Sequence, residues 1–280
     1  MSPFHLVPAA DACDCHVHVF DPQRFPYAPA RAYTPPPAGV EALQKLHAEL
    51  GIGRAVLVQP SCYGYDNRAL CAALQALGPG RARAVAVLDV DAVPDDELAR
   101  LHDMGVRGLR LNFHVHGGRA GAQQACVAAA ARIGPLGWHL QLHTDPQTLA
   151  LLAPVLCTLA TPVVLDHFGG GPAAAATLAG LAGQPHVWIK LSAPYRVCRD
   201  PAELAPLVRR LLEQAHDRLV WASDWPHTGG SGGHGRSPTG IEPFRAVDVG
   251  ATLRALRGWV ADEALFHALM VGNPARLYGF

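Results

Sequence analysis

The chain is 280 residues long, half of it hydrophobic and only 16% of it charged, which is enough apolar material for a large buried core and argues against disorder. Lys plus Arg and Asp plus Glu both number 23, so the formal net charge is zero and no basic excess points to nucleic acid or to an anionic membrane surface. The seven cysteines are odd in number and form no CxxC pair, a pattern that fits reduced thiols in a cytoplasm better than a disulfide framework.

The opening MSPFHLVPAADACD has neither the basic n-region nor the apolar h-region of a signal peptide. Eight short apolar runs then follow: residues 12–19, 54–59, 83–90, 106–113, 138–143, 162–167, 187–192 and 219–223. Continuous apolar character of this length is what strands buried on both faces show. The segments between them are long enough for crossover helices. Residues 95–104 place Leu98, Leu101 and Met104 on one face and stop at Gly105. Residues 146–165 carry no charge but hold Pro154 and Pro162, which reads as a helix ending near Cys157 followed by a strand rather than a membrane span. Residues 201–216 form one stripe of Leu204, Leu207, Val208, Leu211, Leu212 and Ala215, with Glu203, Arg209, Arg210 and Glu213 off it. Strand and helix alternating eight times predict an α/β fold, a single (β/α)8 barrel over residues 1–280. Two segments fall outside the alternation: a Pro- and aromatic-rich loop at 21–38 and a Gly- and Ser-rich loop at 228–243. Both follow strand ends, at the face where barrel enzymes carry their sites.

Chemistry-bearing residues gather at those same ends. Asp14-Cys15-His16-Val17-His18 closes the first run; strand side chains alternate, so His16 and His18 face the same way, and two neutral imidazoles on one face chelate a transition metal. An isolated HxH equally describes two packed histidines. The fifth run, however, ends in His143, the sixth in Asp166-His167, and the eighth leads into Ser223-Asp224-Trp225-Pro226-His227. In a barrel these ends converge, where unpaired polar groups are costly to bury. His16, His18, His143 and Asp224 make an N3O ligand set with an open position for water. Arg110, flanked by Leu109 and Leu111, meets either a substrate anion or a buried carboxylate. Arg196, Ser61 and Tyr33 follow the seventh, second and first runs and are further substrate-binding candidates, each with a packed or solvated alternative. His227 stands either behind a ligand or at the mouth of the site. Gly229-Gly230-Ser231-Gly232-Gly233 matches GxSxG formally but lacks the strand and helix that a nucleophile elbow needs, and nothing singles out Cys15 or Cys62 as a nucleophile.

Taken together, DCHVHVFDP, QPSCYGYDN, GVRGLRLNF, GWHLQLH, VVLDHFGG, KLSAPYR, ASDWPH and GNPARLYGF span nearly the whole chain. They resemble the amidohydrolase superfamily, and within it the branch of 2-pyrone-4,6-dicarboxylate lactonase and related lactone hydrolases. The resemblance implies a barrel hydrolase in which Asp224 matches the catalytic Asp that moves protons to and from the attacking water, and His167 matches the strand-six His. Two features depart from the pyrone-dicarboxylate lactonases. Those enzymes work without a metal and lack the strand-five His that is present here as His143. They also bind a dicarboxylate through several Arg, whereas this chain keeps Arg110 and Arg196 but has His114 and His116 where a further Arg is expected. The motifs thus point to a cytoplasmic, metal-dependent hydrolase with one divalent ion, zinc by expectation. It would open a small anionic lactone of the muconolactone or pyrone-carboxylate kind, with a small molecule rather than nucleic acid or membrane as its partner. A metal-dependent decarboxylase of the same superfamily, a metal-free lactonase and a non-catalytic metal-binding barrel are the alternatives, and a sugar lactone is the alternative substrate.

Overall fold

A computed structural model of the chain describes residues 10–114, 120–231 and 237–280. Its centre is one sheet of eight parallel strands in sequence order: β1 Cys13–Val17, β2 Arg54–Val58, β3 Ala82–Ala86, β4 Val106–Asn112, β5 His139–His143, β6 Val163–Leu165, β7 Val187–Ser192 and β8 Leu219–Ala222. Between and after them run α1 Val40–Leu50, α2 Arg68–Leu77, α3 Asp95–Met104, α4 Ala122–Ile133, α5 Pro146–Leu156, α6 Ala175–Ala182, α7 Ala205–Ala215 and α8 Val249–Trp259, then α9 Glu263–His267 and α10 Asn273–Tyr278. The sheet curls into a nearly closed barrel. β1 and the end of β8 meet through Val17 and Trp225. There His18 N donates to Trp225 O at 2.8 Å and Asp224 N donates to His16 O at 3.0 Å. The seven cysteines are all unpaired, and among the described residues no helix is long and apolar enough to cross a membrane.

Local chemistry sets the boundaries. α3 ends where Gly105 takes φ 106°, a left-handed conformation that a Cβ would strain. α5 starts on Asp145, whose carboxylate accepts from Gln147 N and Thr148 N, with Pro146 in the first turn. The stripe at 201–216 divides into a 3-10 turn, Pro201–Leu204, and α7. Pro206 has no N–H to bond back four residues, so the α-helix begins only around it.

Alternate residues along the strands fall into two buried sets. Leu57, Leu109, Leu140, Leu142, Ile189 and Leu191 pack outward with the helices, while Val56, Val58, Val85, Val164, Trp188, Val220 and Ala222 fill the barrel with Cys13 and Cys15. β1 keeps both its cysteines and its histidines inside because its register shifts between Asp14 and Val17. Three steps along β1 match two steps on β2, from Ala55 to Leu57. That bulge resets the alternation, so Cys13 and Cys15 below it and His16 and His18 above it all face the interior.

The floor of the barrel is closed by Tyr278, whose ring meets His139 edge-on at 5.4 Å. A Cβ on Gly108 would stand 2.4 Å from His139 Nε2, so this neighbour has to be glycine. Burial holds His139 down to about 3, from an ordinary value of 6.5, and among the described residues neither ring nitrogen has a hydrogen-bond partner. The unfolded chain protonates this residue below pH 6.5, so stability that is full above that pH is lost as the pH falls toward about 3. Acidifying from pH 6.5 to 5 should remove roughly 2 kcal/mol through His139. Scanning calorimetry should therefore show a smaller Tm loss over that interval for His139→Leu than for the unmutated protein. Equal losses would place the acid sensitivity elsewhere.

Candidate active site

The residues at the strand ends are held by unusual backbone. The described non-glycine residues with positive φ are His167 at 50°, Phe168 at 53°, Ala193 at 48°, Asp224 at 62° and His227 at 70°. All five sit just past β6, β7 or β8. Such conformations cost about 1–3 kcal/mol each and persist where surrounding structure imposes them. The bonds that close the barrel also tie Asp224 to the HxH segment, so the separation of these side chains is set by main-chain pairing.

Three imidazoles converge on one carboxylate oxygen. Asp224 Oδ1 lies 3.8 Å from His16 Nε2, 3.7 Å from His18 Nε2 and 3.8 Å from His167 Nε2. His16, His167 and Asp224 each offer one ligand atom with all three atoms within 4.8 Å of one another. The opposite ring nitrogens are already engaged: His16 Nδ1 with Asp166 Oδ1 at 3.1 Å, His18 Nδ1 with Val58 O at 2.7 Å, and His167 Nδ1 with Ser192 Oγ at 2.9 Å. A carboxylate and a carbonyl only accept, so His16 and His18 carry hydrogen on Nδ1. Burial keeps His16 neutral, so its Nε2 lone pair faces Asp224, and His18 Nε2 lies 3.3 Å from His16 Nε2. Oδ1 is itself buried and has no hydrogen-bond partner among the described residues. An unpartnered carboxylate oxygen faced by imidazole nitrogens is a donor set that fits a divalent cation.

His143 stands differently. Its ring is perpendicular to that of His167 with centroids 4.9 Å apart. Its Nδ1 lies 3.2 Å from Arg110 Nη2. A guanidinium only donates, so His143 accepts on Nδ1 and carries its hydrogen on Nε2. The ligand set expected from sequence includes His143; the group gathered around Asp224 has His167 instead.

Asp224 Oδ2 is held separately. Tyr195 Oη donates to it at 2.6 Å and Arg196 Nε at 2.7 Å. Burial by itself would push this carboxyl up, but Arg196 and His167 outweigh it and keep Asp224 well below the usual carboxylate range. Burial likewise holds His167 down to about 4 against the charges of Asp224 and Asp166, so it is neutral at pH 7. Arg196 also reaches Thr228 O with Nη2 at 3.2 Å. Its first engagement is thus with Asp224 rather than with open space.

Beneath the histidines lies a second acid, Asp166. It accepts from Arg110 Nε at 3.0 Å, faces His16, and has Lys190 Nζ 3.6 Å away. Burial would raise its carboxyl, yet His16, Lys190 and Arg110 keep it well below its ordinary value. Lys190 is fully buried and donates to Gln141 Oε1 at 2.7 Å and Cys15 O at 2.9 Å. Sequence reasoning gave Asp166, Lys190 and Tyr195 no role. The available signal was a lysine inside the otherwise apolar run Val187–Leu191, of the same kind that singled out Arg110.

These groups wall a cavity of about 420 Å³ that His18, Tyr33, Ser61, Arg110, His143, Asp166, His167, Tyr195, Arg196, Asp224 and Arg245 line. His227 does not line it. A tight turn in which His227 N donates to Asp224 O at 2.9 Å carries it behind Tyr195, with ring centroids 6.1 Å apart. His114 lines the cavity, and His116 lies outside the described residues. Cys15 and Cys62 are buried, and burial pushes the Cys62 thiol up to about 12, unsuited to a nucleophile. Ser231 hydrogen-bonds Glu242, and Gly232 and Gly233 of the GxSxG match lie outside the described residues.

The strand ends of the parallel barrel converge on three imidazoles and an acid, a donor set that fits a metal ion, and comparison with known proteins identifies the family. Residues 13–280 match the Amidohydrolase family model, and the chain belongs to that family. It is 34% identical to 4-sulfomuconolactone hydrolase of Rhizobium radiobacter over 99% of this chain and 93% of that one. It is 36% identical to 2-pyrone-4,6-dicarboxylate hydrolase of Comamonas testosteroni over 96% of this chain and 90% of that one. These relatives are lactone hydrolases of the amidohydrolase superfamily. The solved structure of a probable 2-pyrone-4,6-dicarboxylic acid hydrolase from Acinetobacter baumannii, with citric acid bound, superposes with a TM-score of 0.80 at 27% identity, covering 96% of this chain and all of that one.

Proposed function

We propose that the protein is a metal-dependent lactonase that opens a small anionic lactone by adding water to the ester carbonyl. The observation that carries this is Asp224 Oδ1, buried without a hydrogen-bond partner among the described residues and faced by three imidazole nitrogens. His16, His18 and Asp224 would hold the ion, with His167 or His143 completing the set. Bound there, a divalent cation, zinc in this reading, supplies Lewis acidity toward water and toward the lactone carbonyl.

The chain's own groups do the rest. Tyr195 and Arg196 pin Oδ2 of Asp224 and so aim Oδ1 at the attacking water. Asp224 takes the proton of that water and later delivers it to the ring oxygen as the C–O bond breaks. Whichever of His143 and His167 is not a ligand stands on the cavity wall within reach of the carbonyl oxygen as negative charge develops there. Arg110 and Arg196, with Ser61 and Tyr33 on the facing wall, orient the anionic end of the ring. A cytoplasmic location belongs to the same reading.

Incubation with a panel of carboxylated lactones, muconolactone among them, followed by mass spectrometry, tests the assignment. The expected product has gained one water, in a reaction that chelation stops and zinc restores. Release of carbon dioxide instead would make the protein a decarboxylase, and full turnover by metal-free protein would remove the ion from the mechanism.

A further inference from the structure

Among the described residues, three guanidinium groups face the cavity, and two are matched by the protein's own carboxylates. Arg110 Nε lies 3.0 Å from Asp166 Oδ2 and Arg196 Nε 2.7 Å from Asp224 Oδ2. Arg245 has no carboxylate within ion-pair distance among the described residues, and its Nε is buried without a hydrogen-bond partner. Its guanidinium carbon sits over the Tyr195 ring, 5.4 Å from the centroid. Tyr195 in turn donates to Asp224 Oδ2, so Arg245 is one aromatic ring away from the reacting carboxylate.

The position of Arg245 is imposed by main chain. Arg245 N donates to His227 O at 2.8 Å, and Gly230 N donates to Pro243 O at 3.0 Å. A Cβ on Gly230 would meet Pro243 O at 2.3 Å, so this close approach of the two segments requires glycine. A guanidinium with an unsatisfied buried N–H is costly, and a two-oxygen anion in the plane of its fork removes that cost.

We propose that Arg245 is the specificity-determining residue that binds the anionic group of the substrate, a carboxylate or similar two-oxygen anion carried by a small lactone, on the β8 side of the cavity. This rests on the lactonase reading and goes further, because Arg110 and Arg196 offer substrate only the donors left over from their own carboxylates, whereas among the described residues no carboxylate takes a donor of Arg245.

The test compares Arg245→Met with the unmutated zinc-loaded protein on muconolactone and on its uncharged primary amide. The variant should lose about 10- to 100-fold in kcat/KM on the acid, chiefly through KM, and less than about threefold on the amide. Equal losses on both substrates, or no loss on the acid, overturn the proposal. Calorimetric titration with muconate, a carboxylate probe that needs no turnover, should show at least about tenfold weaker binding in the variant. If the unmutated protein opens neither lactone, the lactonase reading fails while the titration still decides the role of Arg245: weakened binding upholds it and unchanged binding overturns it. Should Arg245→Met not fold, Arg245→Gln is read by the same two measurements.

Discussion

Replacing Asp224 by Asn should lower kcat by about three orders of magnitude while leaving the barrel folded. An amide is nearly isosteric with the carboxylate but takes up no proton at neutral pH. The substitution also isolates the chemistry, because Asn is among the few residues that adopt the left-handed conformation Asp224 occupies at φ 62°. The amide can still accept from Tyr195, whereas the Arg196 contact loses its charge partner. Retention of more than a tenth of the activity, in a variant with unchanged circular dichroism and cooperative unfolding, would take the proton transfer away from Asp224.

The second large effect concerns the ion. His16→Ala removes an imidazole whose Nε2 lies 3.8 Å from Asp224 Oδ1 and leaves Asp166 and Lys190 facing a hole. Bound metal, measured as the zinc-to-protein ratio, should fall from about one to below about a tenth, and activity should fall with it. The same assay separates the two candidates for the remaining ligand. The geometry favours His167, which turns Nε2 to the shared carboxylate oxygen, over His143, which accepts from Arg110 and carries its hydrogen on the other nitrogen. His167→Ala should accordingly lose metal while His143→Ala keeps most of it and loses turnover. The reverse outcome would return His143 to the ligand set that the HxH, strand-five and strand-eight pattern describes.

Much was legible in the residues alone because the physics involved is local. Eight short apolar runs separated by amphipathic segments define parallel strands and crossover helices whatever their order of packing. The strand ends then mark themselves by chemistry, since His16, His18, His143, Asp166, His167 and Asp224 stand where apolar runs stop. Which of these groups face one another is not local. The bulge in β1 moves His16 and His18 to the same interior face as Cys13 and Cys15, and it depends on register against β2. Arg196 is matched to Asp224, and Arg110 to Asp166 and His143, by pairs 28, 56 and 33 residues apart in sequence. A guanidinium takes whichever acid the closed barrel brings to it, and nothing in the flanking residues announces that acid. Lys190 is a similar case: an ammonium can be fully buried only because Cys15 O from β1, Gln141 from β5 and Asp166 from just past β6 surround it. The sequence by itself therefore determined the barrel, the face that carries the chemistry and the residue types gathered there. Only the tertiary structure decided which imidazole nitrogens point at Asp224, which arginines are already matched and which one is not, because partner choice among buried charges depends on distances that exist only once the strands have closed.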